Sequence, residues 1–246
     1  SGFSPSGAAV MSVDAKICGI NEPKALQAAV SHGARYIGFV FYERSPRYLP
    51  PPMAAQLAAQ AGTSSRVVGL FVDPSDDFLA DVISQTPLNM LQLHGDETPG
   101  RVWEIRERYS IPVMKAFRIG DASDLKTIRD YEPVADWLLF DARPPSNVAS
   151  LPGGNGLSFD WRLLANQEFG RPWMLSGGLN PGNLAEAVAE TNAHTVDVSS
   201  GVEERPGKKD PAKIIEFVEL ANSLPSPERN KAQKKAQALG LLLPEG

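Results

Sequence analysis

Two side chains in this sequence have the chemistry needed for proton transfer, and each directly follows an apolar run. Cys18, the only cysteine, stands in KICGI, and Asp141 follows the apolar residues 137–140. A lone cysteine is most often a small buried hydrophobe, and a carboxylate at a strand end often only caps the next loop. Facing each other across one site, however, a thiol and a carboxyl could move protons without metal or cofactor.

Three loops have the glycine and serine content of anion sites. They contain SGGLNPGN, SSGVEERPG, and Gly154 with Gly156. Backbone N–H groups in such turns can point at a phosphate, although glycine-rich turns are also simply turns. Because the stretches SGG and SSG contain no lysine or arginine, we expect a phosphate to lie on backbone amides near Gly156, Gly178, Ser200 and Gly201.

One arginine is placed to bind a carboxylate. The segment FYERSPRYL contains Arg44 and Arg47. The fork of Arg47 could form two parallel hydrogen bonds with a substrate carboxylate. The simpler interpretation is an exposed arginine in a surface loop.

These residues need elements to position them, and the sequence predicts eight repeating units. Short β-rich apolar runs alternate with amphipathic segments, which is typical of βαβ units. The runs are AKICG, RYIGFVF, VVGLFV, LNMLQLH, VMKAFR, DWLLFDA, PWMLSGG and HTVDVSS. Four intervening segments have helical spacing: EPKALQAAVSHG, PPMAAQLAAQAG, NPGNLAEAVAET and DPAKIIEFVELANSL. Eight units predict a single α/β domain, a (β/α)8 TIM barrel, whose active site lies at the carboxyl ends of the strands.

Composition narrows the function classes. The chain has 246 residues, 42% of them hydrophobic, and a formal net charge of −5. An acidic chain argues against a nucleic-acid or anionic-membrane partner, and no apolar run approaches the roughly 20 residues of a membrane-spanning helix. One cysteine and three scattered histidines give no zinc spacing. We therefore expect a cytoplasmic protein with no metal site.

Three segments lie outside the repeating pattern. Residues 1–10 read as a disordered extension or a cloning remnant, because they lack the basic and apolar regions of a signal peptide. The barrel is predicted to span residues 11–224, with a C-terminal tail, helical in part, at 225–246. The Pro- and Gly-rich stretch at 143–157 is a long loop of the kind that is usually functional or mobile.

Eight motifs in order closely resemble phosphoribosylanthranilate isomerases, over residues 15–220. They are KICGI, GFVFYERSPRYL, VGLFVD, LQLHGDE, LLFDA, GGNGLSFDW, SGGLNPGN and VDVSSGVEERPGKKD. The resemblance implies a cofactor-free Amadori rearrangement of N-(5′-phosphoribosyl)anthranilate to 1-(2-carboxyphenylamino)-1-deoxyribulose 5-phosphate, a step of tryptophan biosynthesis. It also implies that Cys18 is the general base, Asp141 the general acid, and Arg47 the ligand of the anthranilate carboxylate.

These roles require particular protonation states of Cys18 and Asp141. A thiolate must coexist with a neutral carboxyl, whereas reference pKa values of about 8.5 and 3.9 place the proton on sulfur. We expect the pocket to move the two pKa values towards each other, with nearby positive potential favouring the Cys18 thiolate and burial favouring neutral Asp141. Arg143, two residues after Asp141, would oppose this if it turned inward.

Other functions on the same barrel remain as alternatives. A histidine-pathway aminoaldose isomerase resembles this chain but has aspartate where Cys18 stands. Indoleglycerol-phosphate synthase and the tryptophan synthase α subunit rely on lysine or glutamate groups that this pattern does not supply. A non-catalytic binding barrel is the alternative from another class. The expected partner is a small phosphosugar–anthranilate substrate, with no nucleic acid or membrane, and a monomer is the default expectation for the oligomeric state.

Overall fold

Eight parallel strands close into one barrel in the part of the chain that the structure describes. The computed structural model describes residues 12–142, 161–165 and 167–225. Each strand pairs with its neighbours in sequence, and β1 also pairs with β8, which closes the sheet. The strands are β1 Asp14–Cys18, β2 Tyr36–Val40, β3 Arg66–Phe71, β4 Met90–Leu93, β5 Val113–Ile119, β6 Trp137–Ala142, β7 Trp173–Ser176 and β8 Thr195–Val198. The predicted (β/α)8 barrel is confirmed, and every predicted strand run forms its strand.

Two hydrophobic clusters explain why the strand sequences are almost continuously apolar. One cluster fills the barrel interior, and a larger one lies between the sheet and the helices. A strand in a covered parallel sheet buries both faces, so both sets of alternating side chains are apolar. The interior cluster consists of Tyr36, Val68, Met90, Met114, Ala116, Leu139 and Met174, with Trp137 packed against it. These side chains plug the barrel below the strand ends, so a site must lie above them.

The helices begin and end where their terminal residues dictate. They are α1 Pro23–Ser31, α2 Pro51–Ala61, α3 Asp76–Gln85, α4 Pro99–Tyr109, α5 Leu184–Thr191 and α6 Pro211–Ser223. The side chains of Ser75, Thr98 and Asp210 accept hydrogen bonds from backbone N–H groups in the first turns of α3, α4 and α6, which satisfies donors that a helix start leaves open. Gly62 ends α2 at a φ of 66°, in the left-handed region that glycine adopts at little cost. The four predicted helices are confirmed.

The structure departs from regular alternation at three described places. Between β6 and β7 the described residues form a 3-10 turn, Trp161–Leu163. After β5 the chain forms a 3-10 helix, Asp124–Asp130, in place of an α-helix. After β8 it forms a 3-10 turn, Ser200–Val202, and a short antiparallel hairpin of β9 Glu203–Arg205 and β10 Lys208–Lys209. The pattern SSGVEERPG predicted an anion loop there but not this hairpin. The hairpin turns at Gly207, whose φ is 80° and whose missing Cβ would lie 2.3 Å from the Pro46 carbonyl oxygen.

The first and last described residues of the chain pair with each other. Ser12 forms a bridge with Pro225, and the Val13 N–H donates to the Leu224 carbonyl at 3.2 Å. The proposed extension at 1–10, the loop at 143–157 and the tail beyond Pro225 lie outside the described residues. Within those residues no helix is both long and apolar enough to cross a bilayer.

Candidate active site

A cavity of about 430 Å³ opens at the carboxyl ends of the strands. Every strand contributes to it through one of its last two residues. From β5 and β6 that residue is charged: Arg118 and Asp141. Its polar lining consists of Tyr42, Ser45, Arg47, Gln92, His94, Arg118, Asp141, Ser176, Asp197, Ser199 and Ser200. Among the described residues no three His, Cys, Asp or Glu side chains are grouped as ligands for a metal ion.

Cys18 and Asp141 line this same cavity. Cys18 ends β1 and is 5% exposed, so its thiol reaches the cavity from a largely buried position. Asp141 lies near the end of β6, with His94 facing it from the loop after β4: the distance from His94 Nε2 to Asp141 Oδ2 is 3.5 Å. The Gln92 side-chain nitrogen lies 3.0 Å from His94 Nδ1. A side-chain amide nitrogen can only donate, so it bonds to the ring nitrogen that faces away from Asp141.

A buried ion pair lies directly beneath Cys18. The Lys16 ammonium donates to Asp197 Oδ1 at 2.7 Å, and the Ser176 hydroxyl donates to Asp197 Oδ2 at 2.8 Å. Lys16 is fully buried and Asp197 is 4% exposed. Burial disfavours the charge of Lys16, but the attraction of Asp197 and Cys18 outweighs it and raises the pKa of Lys16. The lysine is therefore an ammonium ion at neutral pH.

The Cys18 thiol does not have the lowered pKa that we expected from the sequence. Burial is the largest influence and raises the pKa of Cys18, Asp197 raises it further, and Lys16 and Lys209 oppose both. The expectation overlooked how deep a strand-end side chain lies in a closed barrel, where desolvation disfavours a thiolate. It also overlooked Lys16, the cation closest to Cys18 along the chain.

Arg47 lines the cavity, and an internal carboxylate holds its fork. Arg47 Nε and Nη2 donate to the two oxygens of Glu203 at 2.7 and 2.8 Å, and Lys209 Nζ donates to Glu203 at 2.9 Å. These bonds lower the pKa of Glu203 against the opposing effect of burial. A guanidinium has five N–H donors, so a substrate carboxylate in the cavity would have to use those that do not face Glu203. The hairpin that contains Glu203 thus orients the loop that contains Arg47.

The predicted anion-binding residues fall into three groups. Gly178 and Ser200 line the cavity, together with Gly177 and Ser199. Gly201 is next to Ser200 but is not a lining residue of the cavity, and its part in phosphate binding stays a prediction. A Cβ there would lie 1.9 Å from the Leu179 carbonyl oxygen, so this glycine lets the loops after β7 and β8 touch. Gly156 and Arg143 lie outside the described residues.

Sequence reasoning missed Lys16, His94 and Arg118. Lys16 had a signal, because a charged residue two positions before Cys18 on one strand must share its inward face. His94 follows a strand run just as Asp141 does, and Arg118 ends a run in the same way. Arg118 pairs in register with Asp141 and lines the cavity beside it.

Comparison with known proteins agrees with this arrangement. The family model for N-(5′-phosphoribosyl)anthranilate (PRA) isomerase matches residues 15–220. The N-(5′-phosphoribosyl)anthranilate isomerase of Rhodospirillum centenum is 59% identical over 214 residues, covering 87% of this chain and 100% of that protein. The crystal structure of the enzyme from Thermotoga maritima superposes with a TM-score of 0.77 at 37% identity, covering 86% of this chain and all of that one.

A second solved structure contains a ligand. It is a phosphoribosylanthranilate isomerase in complex with reduced 1-(o-carboxyphenylamino)-1-deoxyribulose 5-phosphate, with a TM-score of 0.74, 36% identity, and coverage of 86% of this chain and 100% of that one. The family match covers the whole barrel, including both sides of the cavity that holds Cys18 and Asp141. This chain belongs to the phosphoribosylanthranilate isomerase family.

Proposed function

We propose that the cavity catalyses the family's reaction: isomerisation of N-(5′-phosphoribosyl)anthranilate to 1-(2-carboxyphenylamino)-1-deoxyribulose 5-phosphate, in tryptophan biosynthesis. The observation that carries the proposal is the meeting of Cys18 and Asp141 in one cavity of a chain that belongs to this family. The reaction needs one acid and one base and no change of oxidation state overall, which a carboxyl and a thiol can supply.

The substrate has two anionic ends, and lining residues of the cavity could bind each of them. The glycine turn after β7 and the serines after β8 line the cavity, where Gly178 and Ser200 would receive the phosphate on backbone amides. Arg47 also lines it and would bind the anthranilate carboxylate with the donors that do not face Glu203. Binding at both ends would hold the ribose between Cys18 and Asp141.

The proton transfers then follow in order. Asp141 gives its proton to the ribose ring oxygen, the bond from that oxygen to C1 breaks, and the nitrogen lone pair forms an imine. Cys18 as thiolate takes the proton from C2, and the electrons of that C–H bond move to give an enolamine. Tautomerisation to the ketone gives the product. One proton leaves Asp141 and one arrives at Cys18, so the pair keeps its total proton count.

A fluorescence assay with freshly formed phosphoribosylanthranilate tests the function. We expect the anthranilate fluorescence to disappear with enzyme and to persist with a Cys18→Ser variant at the same concentration. A folded protein that binds a phosphorylated product analogue but consumes no substrate would instead indicate the non-catalytic binding barrel.

A further inference from the structure

The strongest unexplained feature of the site is a fully buried lysine under the catalytic thiol. Lys16 and Cys18 lie two residues apart on β1, so their side chains share the inward face. Burying an ammonium in a barrel interior is costly unless it is paired. A medium-sized apolar side chain would fill the same place without that cost, so the charge requires an explanation.

Gly38 on β2 gives the sulfur and the ammonium a common space. A Cβ at that position would lie 3.2 Å from Cys18 Sγ and 3.3 Å from Lys16 Nζ. Both atoms therefore border the same small gap, and the attraction of Cys18 and Asp197 raises the pKa of Lys16. The gap exists because β2 has no side chain where β1 places both functional groups.

We propose that Lys16 is a positioning residue for the reaction: its buried ammonium, anchored by Asp197 at 2.7 Å, pairs with the Cys18 thiolate and holds it in the cavity. The proposal rests on the proposed function, in which Cys18 is the base. Asp197 fixes the ammonium but also repels the thiolate, so the two members of the ion pair act on Cys18 in opposite directions. Ser176 completes the cluster by donating to the second Asp197 oxygen.

Other charges near the sulfur belong to different elements. Lys209 on β10 favours the thiolate from the hairpin side, and Arg47 acts from the loop after β2. Both are engaged with Glu203 at 2.9 and 2.7 Å. Among these cations, Lys16 has the largest lowering effect on the pKa of Cys18.

Lys16 and Asp197 have opposite effects on the ionisation of Cys18, which can be tested without measuring catalysis. Because Cys18 is the only cysteine, ultraviolet absorbance of the thiolate and the rate of alkylation by iodoacetamide both report its ionisation. We expect Lys16→Met to move this titration to higher pH by roughly one to three pH units, the usual effect of an opposite charge at close range. We expect Asp197→Asn to move it to lower pH. Both variants break the same ion pair, so a general loosening of the local structure would shift the Cys18 titration in the same direction in both.

Kinetics provide a second readout. Lys16→Met should lower kcat by roughly tenfold for each pH unit by which the Cys18 titration rises, with KM nearly unchanged because Lys16 lies beneath the cavity floor. The matched control is Lys115→Met, which removes another buried lysine. Lys115 lies on β5, 2.9 Å from Glu97, and its replacement should leave the Cys18 titration in place.

The outcomes are decisive in each case. If folded Lys16→Met titrates like the wild type, or if Lys115→Met shifts Cys18 as much, the proposal is wrong. If Lys16→Met does not fold, the double variant Lys16→Met/Asp197→Asn removes both charges of the pair. Its Cys18 titration should still move to higher pH, by less than the shift expected for Lys16→Met alone. An unchanged titration in the double variant would overturn the proposal. Failure of the proposed function appears separately, as wild-type protein without isomerase activity.

Discussion

At the scale of single residues, the proton on the Cys18–Asp141 pair decides the activity. The reaction needs one proton on the pair and needs it on Asp141, whereas burial raises the pKa of Cys18 and keeps the proton on sulfur. Burial of Cys18 therefore reduces the fraction of the singly protonated pair that has its proton on Asp141, which is the active form. Groups that lower the pKa of Cys18 increase this fraction.

The pH profile should show this arrangement. From pH 7 upward, where the substrate phosphate is already doubly charged, kcat/KM should stay level and then fall, because alkali removes the one proton the pair needs. The fall should begin only above the ordinary thiol pKa of about 8.5, since the pKa of Cys18 is raised. The measurement is kcat/KM against pH beside the spectroscopic titration of Cys18. A fall at lower pH than that titration would contradict the pairing.

Removing either member of the pair should abolish most of the activity. Cys18→Ser and Asp141→Asn should each lower kcat by roughly 10²- to 10⁴-fold, the usual cost of losing a general acid or base. The double variant should lose less than the product of the single losses, because half of a proton relay has little use alone. Steady-state kinetics of the three variants measures this. A Cys18→Ser enzyme with near-normal kcat would return the thiol to a purely packing role.

At the scale of elements, the β9–β10 hairpin positions a residue of a distant loop. Glu203 on β9 binds the fork of Arg47, 156 positions earlier in the chain, and Gly207 packs against the backbone of Pro46 in the same loop. The hairpin therefore links the loops after β2 and β8 and fixes the orientation of the guanidinium that faces the substrate.

Arg47→Ala should raise KM by at least tenfold with a smaller effect on kcat, because a carboxylate contact away from the reacting carbon stabilises substrate and transition state alike. Glu203→Gln should raise KM in the same direction by a smaller factor, since Arg47 stays but loses its charged anchor. The matched control is Lys208→Ala on the same hairpin, whose partner is Glu22 at 2.7 Å and which should leave KM unchanged. A thousandfold loss of kcat in Arg47→Ala at constant KM would place Arg47 in the chemistry.

The contact between the loops after β7 and β8 gives a second prediction at this scale. Gly201→Ala would place a methyl group 1.9 Å from the Leu179 carbonyl oxygen, so one loop must move away from the other. We expect lower thermal stability and a higher KM, with weaker competition by inorganic phosphate. Gly100→Ala in α4, whose Cβ would meet nothing closer than 3.9 Å, is the control and should lose no stability. Unchanged phosphate competition in Gly201→Ala would argue against this loop pair as the phosphate site.

At the scale of the whole molecule, the raised pKa of Cys18 links folding to pH. The unfolded thiol ionises near its ordinary pKa, while the folded thiol resists ionisation because it is buried. Stability from this group is therefore fully present below the unfolded pKa and is lost as pH rises towards the folded value. The Cys18→Ser variant should show no such loss of stability at high pH, since serine does not ionise there.

Urea unfolding of wild type and Cys18→Ser should show this link directly. The two proteins should have similar free energies of unfolding at pH 7. Above about pH 8.5 the free energy of unfolding of the wild type should fall relative to that of the serine variant. A constant difference between the two proteins across this range would mean that the folded and unfolded thiols ionise alike.

The barrel and the position of its acid–base pair follow from the amino-acid sequence without the coordinates. Eight short apolar runs and their intervening helical segments specify a closed parallel sheet, because each local pattern agrees with the same architecture. Strand ends converge in that architecture, so Cys18 and Asp141, each at the end of a run, had to meet. Family motifs then gave the chemistry.

The ion pairs and the burial of charges in the site become visible only in the folded barrel. The Lys16–Asp197 pair joins β1 to β8 across 181 positions, and Arg47 meets Glu203 through a hairpin that no periodicity predicts. The close approach of Gly201 to the Leu179 carbonyl oxygen, which brings two loops together, is likewise visible only in the folded chain. Local patterns specify which face of a strand a side chain occupies, but distances between charges and their burial arise when the barrel closes. Those distances and that burial set the pKa of Cys18 and hence the fraction of enzyme in its active form.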